Sequence, residues 1–208
     1  MKIVVLGANG RTGLLVVREA LAKGKTVTAV VRSDAKRPMT KHDRLNVVIG
    51  DPCDPKFLSE VFRDQDAVIS TLGGRKPTKT ATAIYWMSAD AITQAASNTG
   101  LKKVVVTSTA LLFPPKRLLD RVLAAIVRNV VQSAKRMEQR FCASELDVIF
   151  ARCGFLSNVD ETRYRAERGS LPESGSSVSR KSLAHFLVDA VLEPFSGQHV
   201  YGVSRPTD

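Results

Sequence analysis

Sulfur and imidazole are scarce in this chain: three cysteines (Cys53, Cys142, Cys153) and three histidines (His42, His185, His199), far apart in sequence and without Cys-x-x-Cys spacing. An odd, unpatterned set of thiols excludes a disulfide framework and fits reduced cysteines in a cytosol, and so few scattered imidazoles give no metal centre. No run reaches the roughly 18 apolar residues that span a bilayer, because Asp120, Arg121, Arg128 and Asn129 interrupt the longest, Leu118 to Val131. The opening Met1 to Leu6 is too short for the apolar region of a secretion signal and runs straight into a glycine turn. The expected location is therefore cytoplasmic, with no membrane partner.

Acidic residues are also in deficit, 20 against 31 Lys and Arg, for a formal net charge of +11. Such a surplus attracts nucleic acid, an anionic membrane or a phosphorylated ligand, and charge alone does not choose among them. Between Leu101 and Arg140 the basic residues sit among apolar ones rather than in a block, without the regular aromatic interleaving of a single-strand stacking platform. A solvated helix face is expected there, and nucleic acid is not the expected partner. Oligomeric state is left open.

What is present is an ordinary globular composition, 44% hydrophobic over 208 residues, which closes one core without a metal or disulfide. Short runs rich in Val and Ile alternate with longer helical ones. The strands are Ile3–Leu6, Thr26–Val31, Val47–Ile49, Ala67–Thr71, Val104–Val106, Val148–Ala151 and His199–Val203. The helices lie at Gly13–Lys23, Lys56–Arg63, Tyr85–Asn98, a long amphipathic stretch Leu118–Ser144, and Lys181–Leu192. Consecutive apolar residues mark strands buried on both faces, as in a parallel sheet covered by helices. The expected fold is α/β: a single Rossmann domain over residues 1–208, its doubly wound, mostly parallel sheet of six to seven strands covered by helices on both faces. Residues 154–179 are polar and rich in Gly and Ser, and read as a substrate loop or lid.

The chemistry starts at the first turn, Gly7-Ala8-Asn9-Gly10-Arg11-Thr12-Gly13, which follows a buried strand and opens a helix. Glycines in this register allow a sharp turn (Gly7), backbone approach to a pyrophosphate (Gly10) and close helix packing (Gly13), with free N–H groups at the positive helix end. A dinucleotide is the expected ligand. Preference for NAD requires an Asp or Glu at the end of the second strand, and this chain has Arg32 there, followed by Ser33, with Arg11 and Arg37 nearby. A guanidinium pairs with a 2′-phosphate, so NADPH is the expected cofactor. Asp51, after the third strand, is placed at the adenine edge, and Leu72, Gly73 and Gly74, after the fourth, against the adenosine ribose.

With these motifs assembled, the chain resembles the atypical short-chain dehydrogenase/reductase group, and within it the NADPH-dependent flavin reductase/biliverdin IXβ reductase type. The resemblance runs through Val31-Arg32-Ser33, Val48-Ile49-Gly50-Asp51, Leu72-Gly73-Gly74-Arg75, Lys103 to Ala110, Arg136-Met137 and Leu183-Ala184-His185-Phe186. It implies that Thr107, Ser108 and Thr109 lie where nicotinamide and substrate meet, Thr107 on the cofactor and Ser108 and Thr109 in catalysis. It also implies that Arg152, Cys153, Gly154 and Phe155 line the substrate site. Met87 matches a methionine that is either core or in touch with the ribose.

Two departures bear on the reaction. Tyr-x-x-x-Lys, the acid–base pair of alcohol dehydrogenation and epimerisation, is missing: Ala89, Arg168 and Arg205 stand four residues after Tyr85, Tyr164 and Tyr201. Gly154 stands where the biliverdin reductase type has a histidine, which counts against biliverdin. A flavin or quinone asks for stacking and distance more than for a protein acid, and Phe155, Trp86 and Phe113 offer aromatic surfaces. The expected function is an NADPH-dependent reductase of a small, flat acceptor, with flavin as substrate rather than prosthetic group. The alternative is an NADPH-sensing regulator of the NmrA-like type.

Overall fold

Strand β1 (Lys2–Leu6) is a run of branched aliphatics buried from Ile3 onward, and it forms the centre of the sheet. The computed structural model describes residues 1–33, 41–74, 76–115 and 118–206. From β1 the chain continues as α1 (Arg11–Ala22), β2 (Thr26–Val31), β3 (Leu45–Ile49), α2 (Pro55–Val61), β4 (Ala67–Ser70), α3 (Lys79–Thr82) and α4 (Ile84–Thr99). It then forms β5 (Lys103–Thr109), α5 (Leu118–Ile126), α6 (Arg128–Cys142), β6 (Asp147–Cys153), β7 (Phe155–Ser157), β8 (Arg165–Arg168), β9 (Ser177–Ser179), α7 (Arg180–Leu192) and β10 (Gln198–Ser204). Local chemistry sets several boundaries. Asp54 accepts from the Lys56 N–H and Pro55 stands at the first position of α2, while Ser179 accepts from the Ser182 N–H to start α7. Gly100, at φ +76°, closes α4.

The main sheet has the order β3-β2-β1-β4-β5-β6-β10-β8, parallel except for β8, which runs antiparallel to β10. Its eight strands exceed the six to seven expected from sequence. Helices α1 and α7 cover one face, packing Val16, Val17, Ala20, Leu183 and Leu187 onto Val5, Ile69 and Val105. Helices α2, α4 and α6 cover the other, with Leu58, Ile92, Met137 and Phe141 over Leu6, Val68 and Phe150. The order in which strands are added reverses between β1 and β4, which run parallel, so the crevice at their carboxyl ends is where such a sheet takes a ligand.

Two local readings change. The Leu118–Ser144 stretch divides at Val127, whose φ of −101° and ψ of 30° leave helical geometry, into α5 and α6. Residues 154–179 hold three short strands: β8 extends the main sheet, and β7 pairs in parallel with β9, Leu156 opposite Val178. Strands of three or four residues, with no buried side chain in β7 and β8 and two in β9, carry too little alternation to be read from sequence.

Candidate functional site

Gly7 takes φ +78°, the left-handed region, which turns the chain out of β1. The Gly10 N–H donates to the Gly7 carbonyl at 2.8 Å, and Leu14 N–H donates back to Gly10 at 2.9 Å to begin α1. A Cβ on Gly13 would stand 2.1 Å from the Gly7 oxygen, so only glycine lets α1 start this close to the turn. No side chain caps this helix end, and no acidic residue lies in its first turn. Its N–H groups and positive dipole end are thus open to an anion, and the site fits the diphosphate of a dinucleotide. Arg11 is exposed at this end, Asn9 and Thr12 are half-buried, and Thr71 locks the turn from β4 by donating its hydroxyl to the Leu6 carbonyl at 3.1 Å.

A residue that sequence reasoning missed joins Arg11. Arg180, at the start of α7, donates from Nη1 to the Leu156 and Ser157 carbonyls, both at 3.1 Å, and to Asn158 Oδ1 at 2.7 Å. Burial first, and then the nearby Arg11 charge, push Arg180 below the ordinary guanidinium range. Two cations from different helices that repel each other are relieved by a shared anion.

At the other end of the crevice Arg32 is exposed just beyond β2, with Ser33 half-buried after it, and Asp51 follows β3. Asp51 Oδ1 accepts from the Cys53 N–H at 3.0 Å. Burial and the Asp51 carboxylate push the Cys53 thiol up to about 11, with Arg32 pulling the other way, which puts Arg32, Asp51 and Cys53 within electrostatic reach of one another. Arg37 and Arg75 lie outside the described residues. Leu72 packs beside Gly7, and a Cβ on Gly73 would come within 3.2 Å of the Tyr85 hydroxyl. Burial pushes that phenol up to about 12, so at neutral pH Tyr85 keeps its proton and can donate but not abstract. Met87 is exposed, and Trp86 lies under the Arg136 guanidinium at 3.7 Å.

Parallel registry places the ends of β5 and β6 side by side, Ser108 opposite Arg152 and Thr109 opposite Cys153. Here Glu138 of α6, unsuspected from sequence, organises the residues. It accepts from Ser108 Oγ at 2.6 Å and takes a two-pronged ion pair from Arg152, Nε at 3.0 Å and Nη2 at 2.6 Å. Arg152 also donates to the Leu112 carbonyl at 3.2 Å and covers the Phe113 ring at 4.7 Å. Ser108 and Arg152, read as catalytic and substrate-binding groups, are thus both engaged by one buried carboxylate. A signal existed: Ala134, Met137, Glu138 and Phe141 follow the spacing of a buried helix stripe, and an acid on such a stripe needs an internal partner. Thr107 is half-buried, its hydroxyl 3.5 Å from the Ser70 carbonyl; Thr109 accepts from the Leu111 N–H at 3.3 Å; Cys153 is buried, its thiol pushed up to about 12 by burial.

Beyond these strand ends a cleft of about 1020 Å³ opens between the segment after β5, α5 and the loop Gly169–Ser176. Thr109, Gly154 and Phe155 from the sequence-derived set line it, with Leu111, Phe113 and Leu123; Ser108, Arg152 and Cys153 do not. Gly154 is required by packing, since a Cβ there would sit 2.2 Å from the Ser176 carbonyl oxygen. Among the described residues no cluster of His, Cys, Asp or Glu could hold a metal ion, and no helix is long and apolar enough to cross a membrane.

Solved structures of similar fold include a wide-type short-chain dehydrogenase/reductase from Veillonella parvula in complex with NADP. It has TM-score 0.80 and 19% identity, over 97% of this chain and 94% of that one. ChuY, an anaerobilin reductase from Escherichia coli O157:H7, has TM-score 0.80 and 21% identity, over 99% and 98%. At those identities the likeness is one of fold. In sequence, the photosystem II assembly factor Ycf39 of Synechocystis is 32% identical over 123 residues, 58% of this chain but only 38% of that relative's length. A family model described as NAD(P)H-binding matches residues 7–194, from the first glycine of the turn to just beyond α7, and the chain belongs to that NAD(P)H-binding family.

Proposed function

We propose that the protein is an NADPH-dependent reductase whose acceptor is a flat molecule such as a flavin or quinone. The observation that carries this is the cleft: its largely apolar walls meet the carboxyl ends of β5 and β6 at Thr109 and Gly154, on the crevice side of the sheet where the uncapped helix end and Arg32 also lie. When bound, NADPH supplies a hydride. The chain's own work is then to grip the diphosphate at the Gly7–Gly13 turn with Arg11, to pair Arg32 with the 2′-phosphate, and to exclude water around the acceptor with Leu111, Phe113, Phe155 and the 169–176 loop. Solvent is the proton source, since Tyr85 does not line the cleft and holds its proton tightly. The test mixes the purified protein with NADPH and FMN, riboflavin or a quinone under anaerobic conditions and follows the nicotinamide absorbance. Acceptor-dependent loss of that band is expected.

One observation favours a second reading, a non-catalytic NADPH sensor of the NmrA-like type: the Ser108 hydroxyl is already committed to Glu138. Saturable NADPH binding with no turnover for any acceptor would establish it. For the cofactor itself, Arg32→Asp is expected to weaken NADPH binding by about 1.5–3 kcal/mol, roughly ten- to a hundredfold, and NADH binding far less. Equal losses by titration calorimetry would take Arg32 out of the 2′-phosphate site.

A further inference from the structure

Helix α5 turns its apolar side outward. Leu118 is 74% exposed, Val122 50% and Ile126 70%, and their spacing of four residues lines them along one face. Scattered exposed aliphatics are ordinary; a row of three on one short helix marks a contact surface. Nothing in the described fold covers it, and α5 has no fully buried side chain among its described residues.

The charge around the stripe points to the occupant. Arg121, next to the stripe on α5 and also at the cleft, and Arg128, two residues past Ile126, are exposed, and neither takes part in an ion pair among the described residues, while the acidic residue of this helix, Asp120, lines the cleft. By contrast, Arg140 of α6 and Arg152 of β6 are paired, with Asp90 and Glu138. Exposed aliphatics bordered by unneutralised cations match a surface that is anionic at its skin and apolar beneath, where aliphatic side chains enter the acyl boundary and the cations stay among headgroups. A second copy of the chain fits poorly, since it brings its own net charge of +11 against these cations.

We propose that α5 docks the protein on the surface of an anionic lipid bilayer, without crossing it. This departs from the sequence expectation of no membrane partner, which addressed only spanning segments. The stripe is separate from the cleft, which Leu123, Ala124 and Val127 line from the other side of the same segment. The proposal does not rest on the reductase reading, and its test needs no turnover.

Full-length protein is sedimented with vesicles of phosphatidylcholine alone and of phosphatidylcholine with 30% phosphatidylglycerol, at low and at about 0.15 M salt. At least tenfold more protein is expected on the anionic vesicles, falling as salt rises. The variant L118S/V122S/I126S is expected to lose most of that binding, and R121E/R128E is expected to lose its anionic preference. Circular dichroism and NADPH affinity of both variants are expected to match the parent, since the changed side chains are exposed. No difference between the vesicle types overturns the proposal. So does full binding by the serine variant, which would make the attraction one of net charge alone. A dimer in sedimentation velocity that the serine variant dissolves also overturns it, by giving the stripe to a second copy.

Discussion

A methyl group added at Gly13 meets the Gly7 carbonyl oxygen at 2.1 Å and the Thr71 hydroxyl at 2.8 Å, the one backbone and the other fixed by its bond to the Leu6 carbonyl. Gly13→Ala is therefore expected to destabilise even the cofactor-free protein by about 1–3 kcal/mol, as overpacking does. Gly10→Ala, whose Cβ would stand 3.1 Å from the same oxygen, is expected to cost less in stability and more in NADPH affinity. Urea melts and calorimetry separate the two, and equal stability losses would refute the division of labour. Cys53 reports on the other end of the crevice. With its thiol raised from the ordinary 9.0 to about 11, alkylation at pH 8 is expected to run about a hundredfold slower than in urea. Because the folded state holds that proton more tightly, the associated stability is complete below pH 9 and is lost as pH rises through 11. Arg32→Ala removes the one charge favouring the thiolate and is expected to slow alkylation further; faster alkylation would separate Arg32 from Cys53. The glycine turn and the position of Arg32 just past β2 were legible in the sequence because they follow from backbone space and the strand boundary. Arg180 was not, since its partnership with Arg11 joins residues 169 positions apart through the packing of α1 on α7.

Helix α6 is fastened to the sheet by one carboxylate. Glu138 bridges Ser108 of β5 and Arg152 of β6, and the side chains of the ion pair are only 10% and 16% exposed. Removing one member of a buried pair strands the other's charge, so Glu138→Gln is expected to cost about 3–5 kcal/mol. Ser108→Ala removes one charge-assisted hydrogen bond and leaves the pair intact, for about 1.5–3 kcal/mol. Denaturant unfolding checks the order, and near-equal small losses would mean that solvent already reaches the pair. The elements themselves were visible in the periodicity: alternating buried strands and amphipathic helices follow from residues such as Ile3 to Leu6 or Val104 to Val106, whose environment is the same on both faces. Strands β7, β8 and β9 were not, because their stability comes from neighbours: Leu156 pairs with Val178, and Ala166 with Val203 at the sheet edge. The break at Val127 was hidden for a related reason, since a helix-compatible sequence is divided there by how α5 turns over the cleft rather than by Gly or Pro.

For the whole molecule, the cofactor is a fold-wide clamp, because its expected contacts run from β1 and α1 to β2, β3 and α7. A ligand that binds only the folded state adds stability as RT ln(1 + [L]/Kd), about 2.7 kcal/mol at a hundred times its dissociation constant. In a chain of 208 residues each kcal/mol moves the melting temperature by roughly 2–4 °C, so saturating NADPH is expected to raise it by about 5–11 °C. NADH at the same concentration lacks the 2′-phosphate that Arg32 would hold, and its affinity is expected to be roughly ten- to a hundredfold lower. Its shift is then smaller by about 1.3–2.3 kcal/mol of stabilisation, or roughly 3–9 °C. Added salt is expected to narrow that gap, since Arg32 is exposed and the chain's positive field is screened within about 8 Å at physiological ionic strength. Thermal melts with the two cofactors at low and high salt measure all three quantities. Equal shifts for NADH and NADPH at low salt would leave the family's cofactor chemistry intact and remove the preference argued from Arg32.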